Sequence, residues 1–470
     1  MSTAAREFLR NAAQKAADRA NQRNIRRAIE HYNESAREGR ARFLDWEAAR
    51  QQCHEIKWEA LNHLDEYLVE FEERVKERGG HVFWAETGED ARRYVADLAK
   101  SRGVRTIVKS KSMVTEEIHL TPALEKIGIQ VLETDLGEFI VQLRNEPPSH
   151  IVMPAMHLSR GQISKLFQEK LGAEATEDPA KLVAVARQTL RRAFFSAEMG
   201  ITGANFLIAD SGMIAITTNE GNDRLGTAIP RIHVAITGIE KVLPRLEDLA
   251  LFWPVLAAAG TGQRITVYNT LIGGPRAANE IDGPEEFHVI LLDNGRTELL
   301  ADAEQRDVLH CIRCGACLNA CPVFRTIGGH AYGTTYSGPV GSVLTPHTRG
   351  LAEFQHLSFA SSLCGACTSV CPVKIDLHHH LLQNRRNAVR ASDRPWLERA
   401  AFSIWRWTMM GQRRFAAAGQ LGRTLLRGLY AMGVEATPLD PLRPWTRRRA
   451  ASAIPRKSFR AMWGQGGGKE

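Results

Sequence analysis

The sequence predicts an α/β protein built on a parallel sheet. Helices precede the sheet, a cysteine-rich helical module follows it, and a basic helical segment comes last. Three observations carry this reading. From His81 onward, short apolar runs alternate with amphipathic stretches, the pattern of strands joined by crossover helices. Residues 1 to about 80 hold no proline, and their first glycine is Gly39. Seven of the eight cysteines fall between Cys311 and Cys371.

The elements follow in order. Residues 1–80 are rich in Ala, Arg and Glu, with interspersed apolar positions such as Phe8, Phe43, Trp46, Leu61, Leu64 and Leu68, and Gly79-Gly80 stops the last helix. His81–Ala85 is a short apolar strand. Thr87 caps the next helix, which ends at Gly103. Thr106–Lys109 is a second strand, and Ser112 begins another helix. Residues 129–135 form a third strand, and His150–Pro154 a fourth. Residues 160–200 read as helical. Two apolar runs flank Asp210-Ser211-Gly212 and form a hairpin. Residues 231–242 form one strand, and 265–273 and 287–294 close the domain. The boundaries are 1–80 for the helical segment, 81–298 for the α/β domain, 299–385 for the cysteine module and 386–470 for the basic segment.

Length and a 44% hydrophobic content suit several globular domains. No stretch approaches the ~18–20 apolar residues that span a bilayer. The N-terminus lacks the apolar core of a signal peptide. The net charge of +8 is unevenly spread. From Leu381 on there are 16 Arg and 2 Lys against 5 acidic residues, so the rest of the chain is net acidic. Trp396, Trp405, Trp407, Trp445 and Trp463 stand among these arginines. That composition suits a partner or an anionic membrane surface. Nucleic-acid binding is a weaker reading, and a helical cap with a solvated basic face is the plain one.

The cysteines carry the chemistry. Cys311, Cys314, Cys317 and Cys321 stand at spacings of three, three and four, followed by Pro322. Cys364, Cys367 and Cys371 repeat the pattern, followed by Pro372. Such runs hold iron–sulfur clusters, with the last cysteine of each run serving the other cluster. Cluster one then takes Cys311, Cys314, Cys317 and Cys371. Cluster two takes Cys321, Cys364 and Cys367. The position where its fourth cysteine would stand is Ser361. Its options are a non-cysteine ligand (Ser361, water or His356), a three-iron [3Fe-4S] centre, or the remote Cys53, whose plain role is core packing. A zinc site does not explain the third cysteine at the same interval. A disulfide framework does not suit so few cysteines in so long a chain. Thiolates kept for iron imply a reducing, cytoplasmic setting. The glycines of 328–346 would let backbone N–H groups approach cluster sulfurs, or simply shape a surface loop.

Four segments, KSKSM (109–113), ETDLGEF (133–139), HIVMPAMH (150–157) and TNEGN (218–222), resemble the LUD domain. That resemblance implies a parallel sheet like those of the glucosamine-phosphate isomerase and CoA-transferase group. A LUD domain followed by an α-helical ferredoxin-type 2×[4Fe-4S] module and a basic helical C-terminal segment resembles the lactate utilization protein B family. The resemblance runs from about residue 40 to the end, and that family also has three cysteines in its second run. It implies an electron-carrier subunit of a complex oxidising L-lactate to pyruvate. The partners it implies are a CCG-domain iron–sulfur subunit and a second, smaller LUD protein. The reduced thiolates and the basic, tryptophan-bearing segment lead to the expectation of a cytoplasmic protein with peripheral contact to the inner face of the cell membrane.

Two other functions stay open on the sequence. The chain itself is the lactate dehydrogenase, with substrate in the LUD domain, or it is an iron–sulfur redox sensor or scaffold. Candidate substrate-binding residues are Lys109, Ser110, Lys111 and Ser112, where a helix N-terminus would meet a carboxylate, with Glu220, Asn222 and Arg224 lining the same pocket. The plain alternative is a capped helix start and a polar turn. His150, His157 and His233 are bases by residue type only. No nucleotide fingerprint is present, and no residue is identified as catalytic.

Overall fold

The computed structural model describes residues 1–391, 396–435, 437–446 and 453–466. Met1–Ala391 form one compact unit, and a second begins after Ala391. In the first unit, helices α1 (Thr3–Ala17), α2 (Arg19–Arg40), α3 (Trp46–Asn62) and α4 (Leu64–Glu77) open the chain. Ser2, Asp18 and Asp45 cap the first three, each accepting a backbone N–H with its side chain. Their apolar stripes, including Phe8, Ile25, Ile29, Leu61, Leu68 and Phe71, are buried in the main core.

The strands are β1 (His81–Ala85), β2 (Thr106–Lys109), β3 (Gln130–Glu133), β4 (Met199–Thr202), β5 (Phe206–Ile208), β6 (Met213–Thr218), β7 (Ile232–Gly238), β8 (Val242–Leu243), β9 (Tyr268–Ile272) and β10 (Glu286–Leu292). Six make an all-parallel sheet in the order β1-β10-β7-β4-β2-β3. The other four make a smaller mixed sheet, β8-β5-β6-β9. The parallel strands are near-continuous apolar runs because both faces of a crossover sheet are covered. β7 is buried along its whole length.

Several expectations hold. Thr87 and Asp90 form a capping box at the start of Gly88–Ser101. β5 and β6 pair antiparallel across Asp210-Ser211-Gly212, with Gly212 at φ +64°. Three expectations need correction. His150–Pro154 is a turn and not a strand. The Nδ1 atom of His150 accepts the backbone N–H groups of Val152 and Met153 at 3.0 and 3.2 Å, and Ser149 hydrogen-bonds the Pro154 carbonyl from both its N–H and its hydroxyl. These bonds take the groups a ladder would use. The stretch 160–200 is not helical to its end: the helix Pro179–Ser196 stops and Met199–Thr202 becomes the central strand β4. Residues 231–242 are two strands in two sheets, parted by a single 3₁₀ turn at Ile239–Lys241.

In the second unit, helices span Trp396–Met409 and Gln412–Ala431, and neither has a buried residue. No helix among the described residues is long and apolar enough to cross a membrane.

Candidate functional site

The cysteine module is built on a duplicated turn. Arg313-Cys314-Gly315 and Leu363-Cys364-Gly365 both place the residues on either side of the cysteine at positive φ: 60° and 78° in the first, 55° and 78° in the second. A one-turn helix carrying the next cysteine follows each. Left-handed backbone at Arg313 and Leu363 is disfavoured for residues with a Cβ, and such strain persists where surroundings over-determine it. Gly315 also packs tightly. A Cβ there would lie 3.0 Å from both His150 Cε1 and Val152 Cγ2.

The structure sorts the seven cysteines into two sets. Cys311, Cys314, Cys317 and Cys371 line one small enclosed hole, walled otherwise by Ile151, Ile312, Val340 and Val373 among others. Burial pushes the Cys314, Cys317 and Cys371 thiols up, and their shared negative charge adds to it. Backbone N–H groups of Ala316, Val340 and Ile375 oppose this by favouring the respective thiolates. The Ile375 N–H lies 3.4 Å from Cys371 Sγ. In the second set, burial lifts Cys367 to about 11, with Cys321 and Cys364 as charged neighbours. Cys364 is exposed, and N–H and hydroxyl donation from Ala366 and Ser362 holds its thiol below the usual range. No disulfide links any of them.

The donor set fits iron–sulfur clusters. A single tetrahedral zinc draws its thiolates to within about 4 Å of one another. Among the described residues, no three of these sulfurs come within 4.8 Å of each other. A cubane with a thiolate on each iron needs four soft donors and a dry pocket with N–H groups aimed at sulfur, which the first set supplies. Cys53 lies in the main core with Asp248 as its charged neighbour, and burial pushes its thiol well up. Ser361 Oγ accepts the Leu363 N–H at 3.1 Å. His356 Nδ1 faces the Glu353 carbonyl at 3.2 Å and its ring packs on Phe8.

Helix α3 braces the first set. Arg50 donates to the Cys371 carbonyl at 2.9 Å, and His54 Nδ1 lies 3.1 Å from the Val373 carbonyl. A buried charge network joins the sheet to the cysteine loop. Arg296 bonds Glu117 at 2.8 Å and Glu240 at 2.6 Å, Arg313 bonds Glu240 at 3.2 Å, and the Tyr336 hydroxyl donates to Glu117 at 2.7 Å.

A cavity of about 430 Å³ opens at the carboxyl ends of the parallel strands. Ser110, Lys111 and Ser112 after β2, and Gly203, Ala204 and Asn205 after β4, face it. Here the strand order reverses: β2 leads outward to β3 and β4 leads the other way to β7. That is the switch point where open parallel sheets bind ligands. Lys241, Arg313 and Cys314 also line it, so Cys314 and Ile151 belong to both this cavity and the cysteine hole.

The candidates from the sequence divide. Ser110, Lys111, Ser112, Glu220 and Asn222 line the cavity; Lys109 and Arg224 do not. Lys109 is 1% exposed and held by Glu133 at 2.8 Å and Glu116 at 3.2 Å. Arg224 stacks on Tyr268. The helix after Ser112 is only Met113–Glu117, too short for the anion site expected at its N-terminus. Glu220 Oε2 accepts the Leu136 N–H at 2.9 Å, and Asn222 donates to Thr134 at 3.1 Å. None of the three histidines lines the cavity. His150 is buried with Nε2 3.1 Å from Asn319 Oδ1, His157 pairs with Glu146 at 2.8 Å, and His233 with Thr202 at 2.9 Å. Sequence reasoning missed Lys241, Asp223 and Arg313. Only Arg313 carried a signal, since it stands inside the first cysteine run.

These charges set a pH optimum. Burial raises Glu240 and Glu146, but their cationic partners, Arg296 and Arg313 for the first and His157 and Arg144 for the second, outweigh it and hold both at about 2. Depressed carboxyls contribute stability that is lost as pH falls from about 4.5 toward 2. Burial raises Glu133 to about 8 and Glu138 and Glu220 to about 7. One Lys109 cannot neutralise Glu116, Glu133 and Glu138 together. Raised carboxyls contribute stability that is present below about 4.5 and lost as pH climbs to about 8. The buried imidazoles of His150 and His233, held down to about 3 by burial, add stability that is lost as pH falls below about 6.5, so thermal unfolding scans should peak between about pH 6 and 7. A Tm that rises steadily from pH 5 to 8 would contradict these assignments.

Comparison with known proteins agrees with this architecture. The LUD domain family matches residues 68–292, and the 4Fe-4S dicluster domain family matches residues 307–375. Lactate utilization protein B of Bacillus cereus (strain AH820) is 43% identical over 417 residues, 88% of this chain and 88% of its own. The protein of the same name from Bacillus thuringiensis (strain Al Hakam) matches to the same extent. A solved structure of a DUF162 family protein from Deinococcus radiodurans is matched over 49% of this chain and 98% of its own, at 16% identity and a TM-score of 0.27. With this identity over this span, and with both domains in this order, the chain belongs to the lactate utilization protein B family.

Proposed function

We propose that this chain is the iron–sulfur electron-transfer component of a system that oxidises L-lactate to pyruvate. The observation that carries the reading is the crossed grouping of cysteines, Cys311, Cys314, Cys317 and Cys371 in one set and Cys321, Cys364 and Cys367 in the other, in a chain of this family. Each set would hold one cluster. The first has four thiolates for a [4Fe-4S] cluster; the second has three, for a [4Fe-4S] cluster with a non-cysteine ligand or for a [3Fe-4S] centre. When bound, such clusters supply one-electron transfer. The chain's own residues hold the sulfurs, keep water from the first set and place Lys241 and Arg313 near Cys311 to offset thiolate charge.

Partners on this reading are a CCG-domain iron–sulfur subunit and a second LUD protein. The C-terminal unit suits a peripheral contact on the cytoplasmic face of an anionic membrane. Trp396, Phe402, Trp405 and Trp407 are exposed beside Arg399 and Arg406, an amphipathic pattern that favours interfacial binding. The dehydrogenase and sensor readings are not favoured. The test is lactate oxidation with an artificial acceptor. The isolated, anaerobically purified chain should show none, and its bleaching by lactate should appear only when the partner subunits are added. Turnover by the chain alone would transfer the reading to a dehydrogenase.

A further inference from the structure

We propose that the cavity at the carboxyl edge of the parallel sheet binds a small hydroxylated organic carboxylate against the wall it shares with the cysteine hole. The inference deepens the electron-transfer reading, and relies on it only for the presence of a redox centre behind Cys314. It concerns binding and assigns no chemical step.

The cavity presents cationic donors that the fold leaves unused. Lys241 is 5% exposed, makes no ion pair within the described residues, and has one hydrogen bond, a long 3.4 Å contact to the Cys311 carbonyl. Arg313 bonds Glu240 through Nη2 and lies over Tyr336, yet its Nε and Nη1 are buried with no acceptor. Buried donors without acceptors are costly, and a guanidinium with two free N–H groups matches a carboxylate. These cations line the large cavity. They are not among the residues that line the cysteine hole, so besides offsetting thiolate charge at Cys311 they face the large cavity.

The same cavity also presents an acceptor without a side-chain donor. Asp223 is 1% exposed and no side chain hydrogen-bonds either carboxylate oxygen; the backbone N–H groups of Asp223 and Arg224 and the Arg224 charge only partly offset its burial. A ligand hydroxyl would supply what Asp223 lacks. Ser110, Ser112 and Thr218 add hydroxyls to the lining, and Asn205 is held as an acceptor by the Thr217 N–H at 2.9 Å. Inorganic phosphate would satisfy the cations and can donate a P–OH, but as the dianion it sets more negative charge against Asp223 than a carboxylate does. A plain fatty acid would satisfy neither Asp223 nor the polar wall. The volume of about 430 Å³ falls in the range of ordinary ligand sites and exceeds what a three-carbon acid fills.

The experiment uses the full, cluster-loaded chain under anaerobic conditions. L-lactate, gluconate, propionate and inorganic phosphate are titrated by calorimetry, and the EPR spectrum of the reduced chain is recorded with and without each. The hydroxy acids should bind, and propionate and phosphate more weakly. The EPR lines of one cluster should move on binding, because Cys314 belongs to both walls. Lys241→Met and Arg313→Met should each weaken hydroxy-acid binding by about tenfold or more, and Asp223→Asn should erase the preference over propionate. Should Arg313→Met lose iron, Lys241→Met and Ala204→Phe, which fills the cavity without touching a charge, decide the matter. No hydroxy-acid binding, binding indifferent to these variants, or phosphate binding equally well would overturn the proposal. Failure of the electron-transfer reading looks different: the chain would be iron-free and colourless whatever the binding isotherms show.

Discussion

Cys314→Ala and Cys371→Ala, distant in sequence, are expected to produce the same defect: loss of about half the iron, with the other half retained. The wild-type chain should carry about seven to eight irons, according to whether the second centre has three or four. Both residues line one hole, so removal of either opens the same cluster. Cys367→Ala should remove the complementary half, although Cys367 and Cys371 stand on neighbouring turns of one motif. Iron analysis and EPR of anaerobically purified variants distinguish the cases. If Cys371→Ala resembles Cys367→Ala and not Cys314→Ala, each motif serves its own centre and the crossed arrangement is abandoned. Growth on L-lactate should fail with all three variants, because an interrupted relay carries no electrons.

Arg296→Ala is expected to be the most damaging substitution outside the cysteines. Its guanidinium lies between Glu117 and Glu240, and all three side chains are buried, at 4%, 6% and 1% exposure. Removing the cation leaves one carboxylate with Arg313 and the other with only Tyr336 and Asn294. Breaking a buried pair costs about 3–5 kcal/mol, because the remaining charge is uncompensated. Urea unfolding should show that loss as a lower midpoint with unchanged slope. The double variant Arg296→Met with Glu117→Gln should recover part of it, since replacing both members of a pair is far milder than removing one. A single-variant loss under 1 kcal/mol would mean that water reaches the network.

What the sequence revealed depended on whether a signal was local. The capping box at Thr87 and Asp90, the turn at Asp210-Ser211-Gly212 and the apolar strands around β2 and β10 are each written within a few consecutive residues. The turn at His150 misled because its apolar neighbours Ile151, Val152 and Met153 look like a strand, and only the imidazole's capture of two N–H groups decides otherwise. β4 was hidden by the helix that runs into it; what makes Met199–Thr202 a strand is its place between β2 and β7, which no local pattern encodes. The cavity is the extreme case. Ser110, Lys111 and Ser112 were visible as a polar break after a strand. Lys241 and Arg313 reach the same space from segments far along the chain, and topology alone brings them together.

The two cysteine sets differ in how they meet water. Cys314, Cys317 and Cys371 are buried, whereas Cys364 stands in the open with its thiol acidified. Thiolate character and access together govern attack by oxidants. Air damage should therefore begin at the outer centre and reach the inner one last, so a briefly aerated sample would be a mixture of half-stripped molecules with the deep centre intact.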